Sequence, residues 1–99
     1  MLTRCAAMEL GPRGIRVVGI APGFIETPMT EYARALPGIQ DAYVDTIPLG
    51  RSGSPGDIAD TAVFLASDEA SWVSGTTMYV DGAEANKGYP ELARLLNLF

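Results

Sequence analysis

The run Gly11 to Met29, GPRGIRVVGIAPGFIETPM, constrains the fold of this chain more than any other stretch. Ala6, Ala7, Met8, Glu9 and Leu10 are good helix formers that lead into it. Gly11-Pro12 is expected to stop that helix. Ile15 to Ala21 is mostly apolar rather than alternating, the pattern of a parallel strand buried on both faces. Pro22-Gly23 then breaks the strand into a polar loop. Proline fixes one backbone angle and glycine frees the next, so main-chain groups there can come close to a flat ligand. In an open α/β sheet, ligands bind past the carboxyl ends of parallel strands.

The remaining pattern predicts a crossover. The first helix spans Met1 to Leu10, with Leu2, Cys5, Ala6 and Glu9 on one side by three-four spacing. No N-cap residue precedes it, as expected of a helix continued from upstream. Cys5 is expected to be buried and apolar in character. Thr30–Leu36 and Ile39–Ile47 read as two short helices, divided by Pro37-Gly38 and ended by Pro48. Ser54 is a good N-cap with Pro55 at the first helical position and Asp57 at the third, close to a capping box. That helix is expected to run to Ala66 or Ser67, with Ile58, Ala59, Ala62, Val63, Leu65 and Ala66 as a broad apolar face. Trp72 and Gly75 read as packing and turn residues before a second strand, Thr76–Val80, which Asp81-Gly82 closes. Residues 90–98 suggest a last short helix. Gly19, inside the first strand, points either to close approach of another backbone or to simple tight packing. Strand, helix, strand makes a right-handed parallel crossover, so the fold class is α/β. Two strands alone make an incomplete sheet with bare edges.

Composition excludes several functions. The chain has 99 residues, room for one small domain, and 47% of them are hydrophobic, which rules out a disordered segment. A net charge of −5 with scattered basic residues argues against nucleic acid or an anionic membrane as partner. Cys5 is the single cysteine and there is no histidine. A zinc site of the usual Cys/His type and a hydrolase with a histidine base are therefore excluded. No metal ligands are assigned. Glu9, Glu31, Asp41, Asp45, Asp57 and Asp60 follow helix surfaces and read as solvated faces or caps rather than paired acid-base groups. With no long apolar span, no signal-peptide pattern and no internal disulfide, a cytoplasmic location is the expectation.

Two stretches carry a family resemblance. IAPGFIETPM follows ELGPRGIRV at a fitting distance, and GRSGSPGDIADTAVFLASDEASWVSGTTMYVDG matches a last crossover almost end to end. Together they resemble the short-chain dehydrogenase/reductase family over Met1 to about Gly82, with members of the 3-oxoacyl-ACP reductase and glucose 1-dehydrogenase type. The resemblance implies the C-terminal portion of a Rossmann-type, doubly wound parallel sheet that binds NAD or NADP. It makes residues 1–99 a single partial domain, with 28–48 as a substrate lid and 83–99 as a tail without a family motif.

The resemblance also implies where a cofactor sits. Pro22 and Gly23 would lie against the nicotinamide end, Ile25 would give a backbone contact to the carboxamide, and Thr27 a hydroxyl contact to the carboxamide or the pyrophosphate. The residues themselves offer Thr27 another role, as N-cap of the lid helix with Pro28 next. The family usually ends its last strand Val-Asp-Gly-Gly, whereas this chain has Val80-Asp81-Gly82-Ala83. Alanine disfavours positive φ, so the turn is expected to differ. Gly50, Gly53 and Gly56 lack phosphate-loop spacing and read as turn and helix-start residues.

The family's glycine-rich motif, catalytic serine and Tyr-x-x-x-Lys pair have no counterpart here. Four residues beyond Tyr32, Tyr43, Tyr79 and Tyr89 stand Leu36, Ile47, Ala83 and Ala93. No catalytic residue is carried over, and these 99 residues alone are expected to be inactive, with weak or no dinucleotide binding. Three functions follow as expectations. The chain is part of an NAD(P)-dependent oxidoreductase that moves a hydride between nicotinamide and a small alcohol or ketone, with the missing N-terminal half or homo-oligomer subunits as partners. Alternatively, it is a non-catalytic assembly module, or a truncated product without a function of its own.

Overall fold

Capping residues set most of the element boundaries. The computed structural model describes every residue except Tyr89, Glu91 and Phe99. Helix α1 spans Leu2–Leu10. Gly11 keeps a right-handed helical conformation, and the chain tightens into a 3₁₀ turn over Gly11–Arg13. The left-handed residue that ends the run is Gly14, at φ 77°. The α-helix thus stops at Gly11 as expected, and the left-handed turn follows three residues later. Only one of the two glycines can supply the left-handed C′ position, and Pro12 is tolerated as the first or second residue of a tight turn.

Strand β1 covers Gly19–Pro22 and pairs in parallel with β2, Thr77–Val80. The register sets Gly19 beside Thr77, Ile20 beside Met78, Ala21 beside Tyr79 and Pro22 beside Val80. The predicted strand began at Ile15, but the ladder does not reach it. Opposite residues 15–18 the segment leading into β2 is turning, with Gly75 at φ 75°. The Val17 N–H is instead taken by the Ser74 hydroxyl at 3.1 Å, and the Gly75 N–H reaches the Val17 carbonyl at 2.8 Å. Gly19 resolves to tight packing: a Cβ there would lie 2.7 Å from Thr77 Oγ1 and 3.3 Å from Thr3 Oγ1.

Three helices cross between the strands. α2 is Pro28–Ala35, α3 is Ile39–Thr46, and α4 is Pro55–Ala66. α4 begins as the sequence predicts. The Ser54 hydroxyl accepts the Asp57 N–H at 3.2 Å, and Asp57 returns the bond by accepting the Ser54 N–H at 2.8 Å. At the other end of α4, Arg16 reaches from ahead of β1. Its guanidinium donates to the carbonyls of Leu65 at 2.8 Å and Ser67 at 3.1 Å. The Leu65 carbonyl lies in the last turn of α4, where intrahelical donors run out, the Ser67 carbonyl also accepts the Ala70 N–H, and a cation there suits the helix dipole. A short helix α5, Leu92–Leu95, lies within the predicted tail helix. Tyr89, Glu91 and Phe99, which that expectation also touched, lie outside the described residues.

The core is small. Its buried apolar residues are Ile39, Ile47, Leu65 and Ala70, which lie in α3, just after it and at the end of α4. Two expectations are corrected here. Trp72 does not pack before β2 and is 98% exposed, and Cys5 is exposed on α1. The α4 face splits in the same way: Leu65 is buried, but Val63 is 69% exposed. Each of these side chains needs an opposite layer to bury it, and α1 and α4 have little beyond the two strands to pack on. The radius of gyration is 16.7 Å, above the ~13 Å of a compact 100-residue domain.

Candidate functional site

The loop after β1 is held at the carboxyl edge of the sheet by its neighbour. The Gly23 N–H donates to the Val80 carbonyl at 3.0 Å, so pairing continues one residue past the strand. A Cβ on Gly23 would lie 2.6 Å from Asp81 Cβ and 2.7 Å from Asp81 Cα. Glycine is required here because the two strand exits touch. Gly23 is not among the residues with positive φ.

Further along, Ile25 forms an isolated parallel bridge with Gly53. The Gly53 N–H donates to the Phe24 carbonyl at 2.9 Å, and the Glu26 N–H donates to the Gly53 carbonyl at 2.9 Å. Gly53 was read as a turn residue. The structure makes it a backbone partner of the loop, since a Cβ there would meet Ile25 Cδ1 at 2.6 Å. The bridge uses the amides of Phe24 and Glu26, so the peptide groups of Ile25 itself face the other edge.

Helix α2 is anchored on that edge. The Thr30 hydroxyl donates to the Ile25 carbonyl at 2.8 Å, with the Thr27 carbonyl 3.1 Å away. The Thr27 N–H is accepted by the same hydroxyl at 3.1 Å, and Arg34 donates to the Thr27 carbonyl at 3.1 Å. Thr27 thus takes the N-cap position that its own residue type predicted, with extended backbone. Helix α3 is tied to the loop through a buried serine. Gln40 donates to the Ser52 hydroxyl at 3.1 Å, and that hydroxyl donates to Glu26 Oε1 at 2.7 Å. Gln40, Ser52 and Glu26 were not singled out in the sequence, and no local pattern marks a contact spanning 26 positions.

The four predicted site residues do not line one cavity. Pro22 and Gly23 border a cleft of about 330 Å³ shared with Tyr79, Asp81 and Glu84. Ile25 borders a second, of about 240 Å³, between the chain after α3 and the start of α4. Thr27 lines neither of them. In the second cleft the Arg51 guanidinium pairs with Asp57 at 2.9 Å. This pair, with the Ser54 N–H at the helix start, holds the Asp57 carboxyl well below the usual carboxylate range. In the first cleft, burial pushes the Glu84 carboxyl up, and the negative charge of Asp81 adds to the shift. Among the described residues, no group of three or more His, Cys, Asp or Glu side chains could hold a metal ion.

A family model described as Enoyl-(Acyl carrier protein) reductase matches residues 1–83. The chain belongs to the short-chain dehydrogenase/reductase family. Within that family it is 49% identical over 82 residues to 3beta-hydroxysteroid dehydrogenase 1 of Eggerthella lenta, covering 83% of this chain and 31% of that protein. Its structure resembles a short-chain type dehydrogenase/reductase from Mycobacterium ulcerans at TM-score 0.90 and 35% identity, covering 98% of this chain and 35% of that one. It also resembles a gluconate 5-dehydrogenase from Burkholderia cenocepacia in complex with NADP and tartrate, at TM-score 0.81 and 31% identity, over 87% of this chain and 34% of the other. The chain thus spans about a third of the length of these short-chain dehydrogenase/reductase relatives. Its α/β architecture is that of their Rossmann-type fold. At the turn after β2, Ala83 adopts φ 74° directly after Gly82 at φ 61°, a left-handed conformation that alanine disfavours. Asp81 makes this possible by accepting the Ala83 N–H at 2.9 Å. Among the described residues, no helix is long and apolar enough to cross a membrane.

Proposed function

We propose that this chain is the nicotinamide-side portion of an NAD(P)-dependent oxidoreductase that moves a hydride between the cofactor and a small alcohol or ketone. The observation that carries this reading is the loop from Pro22 to Thr27. It leaves the carboxyl edge of a parallel pair and is fixed by Val80 and Gly53, and it lies within the family match over residues 1–83. The loop fits a flat carboxamide in part. The Ile25 N–H lies on the edge opposite the Gly53 bridge, where it can donate, while the Ile25 carbonyl is already held by Thr30. Pro22 is exposed at the strand end and presents its apolar ring. When bound, the nicotinamide supplies the hydride acceptor or donor. This chain's residues hold its carboxamide end, while α2 and α3 shield the site from water. The NADP held by the gluconate 5-dehydrogenase supports a nicotinamide cofactor. Pro22, Gly23, Ile25 and Thr27 are assigned as the cofactor-facing residues.

Titration of the intact protein with NAD⁺ and NADP⁺, followed by amide NMR, tests this. The Ile25 amide is expected to shift first, with the α4 amides unmoved. A complete protein that neither oxidises any alcohol nor reduces any ketone in the presence of either dinucleotide would rule the reading out.

A second reading, an assembly module, is favoured by one observation: Trp72, Val63 and Tyr79 stand well exposed on β2, α4 and their connection. Homo-oligomer subunits or the rest of the domain would cover them. The two readings are compatible, because a sheet completed by other polypeptide can both assemble and bind the cofactor.

A further inference from the structure

The segment after β2 touches the cofactor loop and the lid at once. The Asp81 carboxylate builds its turn, accepting the Ala83 N–H through Oδ1 and the Ala85 N–H through Oδ2, at 2.9 and 3.0 Å. That turn delivers Glu84 inward, to 4% exposure, with Oε2 buried and unpartnered. A buried carboxyl with an orphan oxygen is costly and calls for an explanation. The Phe24 N–H, next after Gly23, lies near this carboxyl and favours its charged form.

The same segment seats the lid. The Leu49 N–H donates to the Gly82 carbonyl at 3.2 Å, and Ile47 Cγ2 fills the space where a Gly82 Cβ would project. Lys87 Nζ donates to the Asp45 carbonyl at 2.6 Å. Asp45 lies in the last turn of α3, whose carbonyls lack partners within the helix and attract a cation. Phe24 and Tyr43 are stacked between these two anchors. The contacts run in a circuit: Asp81 against Gly23, the adjoining Phe24 on Tyr43 of α3, and Asp45 at the end of α3 to Lys87. Glu84 and Lys87 lie beyond residue 83, where the family match ends.

We propose that Asp81–Lys87 is a clasp that holds the α2–α3 lid in place over the loop after β1, with Glu84 and Lys87 as its positioning residues. Glu84 fixes the start of the loop at Phe24, and Lys87 fixes the end of α3. The clasp does not depend on which substrate or dinucleotide the site takes.

Amide hydrogen exchange on the full chain tests the clasp without cofactor or substrate, so its outcome is independent of the reaction proposed above. Lys87→Met is expected to speed exchange in α3 about tenfold relative to α4, the scale of one charge-assisted hydrogen bond. Lys87→Arg restores the parent rates. Glu84→Gln keeps the size and the acceptor and leaves the rates unchanged, whereas Glu84→Leu speeds the Phe24 amide and α3 together. The clasp is overturned if Lys87→Met leaves α3 unchanged or raises α3, α4 and the strands equally. It is overturned as well if Glu84→Leu releases Phe24 but not α3.

Discussion

The ring of Phe24 lies stacked on that of Tyr43, with centroids 4.2 Å apart and planes 12° from parallel. One ring belongs to the loop after β1 and the other to helix α3, so the contact couples the position of α3 to the candidate cofactor edge. A double-mutant cycle of Phe24→Leu and Tyr43→Leu is expected to give a coupling energy of about 0.5–1.5 kcal/mol from urea denaturation. Coupling indistinguishable from zero removes the stack as a link between loop and lid.

The close approach of Gly23 and Asp81 makes a sharper prediction. Gly23→Ala places a methyl within 2.6 Å of Asp81 Cβ, and overpacking of this kind costs about 1–3 kcal/mol. Gly56 is the control. It sits in the first turn of α4, where the nearest atom to an added Cβ is Ser54 Oγ at 3.5 Å. Gly56→Ala is expected to raise stability by about 0.5 kcal/mol, because alanine loses less backbone entropy in a helix. The two shifts in urea midpoint should have opposite signs.

Two carboxyls give the stability profile opposite slopes in pH. The Asp57 pKa is depressed, first by the Arg51 hydrogen bond and then by the Ser54 N–H. Its stabilisation is complete above the unfolded value near 3.8 and is lost as pH falls through the folded value. The Glu84 pKa is raised from 4.5, first by burial. Its contribution is complete below 4.5 and is lost as pH rises through the folded value. Glu84→Gln should therefore flatten the limb above pH 4.5, and Asp57→Asn the acid limb. Urea midpoints across pH 2.5–8 read both. A Glu84→Gln profile that still falls above pH 4.5 like the parent assigns that slope to another group.

Trp72 offers a test of the assembly reading. It is 98% exposed, so Trp72→Ser should change the unfolding free energy of the isolated monomer by less than about 0.5 kcal/mol. If apolar contact at this face drives association, sedimentation equilibrium should show weaker self-association in the variant. Equal association in parent and variant places the contact elsewhere.

Local signals were legible wherever neighbours in sequence satisfy one another. Ser54, Pro55 and Asp57 announced the start of α4 because a cap needs only three residues. Pro37-Gly38 and Pro48 bounded the lid helices for the same reason, and Thr27 fell at the N-cap its residue type suggested. Contacts between distant residues were not legible. Gly53 looked like a turn residue until Ile25, 28 positions away, paired with it. Ser52 carried no local mark of its bond to Glu26. Arg16 looked like one polar residue in an apolar strand, and its guanidinium closes the far end of α4.

The amino-acid order alone determined the α/β succession, the family, and the loop that ends β1, because these rest on helix caps, apolar periodicity and a short motif. Tertiary structure decided which glycines are indispensable, that Cys5 and Trp72 face outward, and that the turn after β2 reaches back to the loop and the lid. Those outcomes depend on which layers meet in space. A side chain is buried, or an added methyl excluded, only by what stands opposite it.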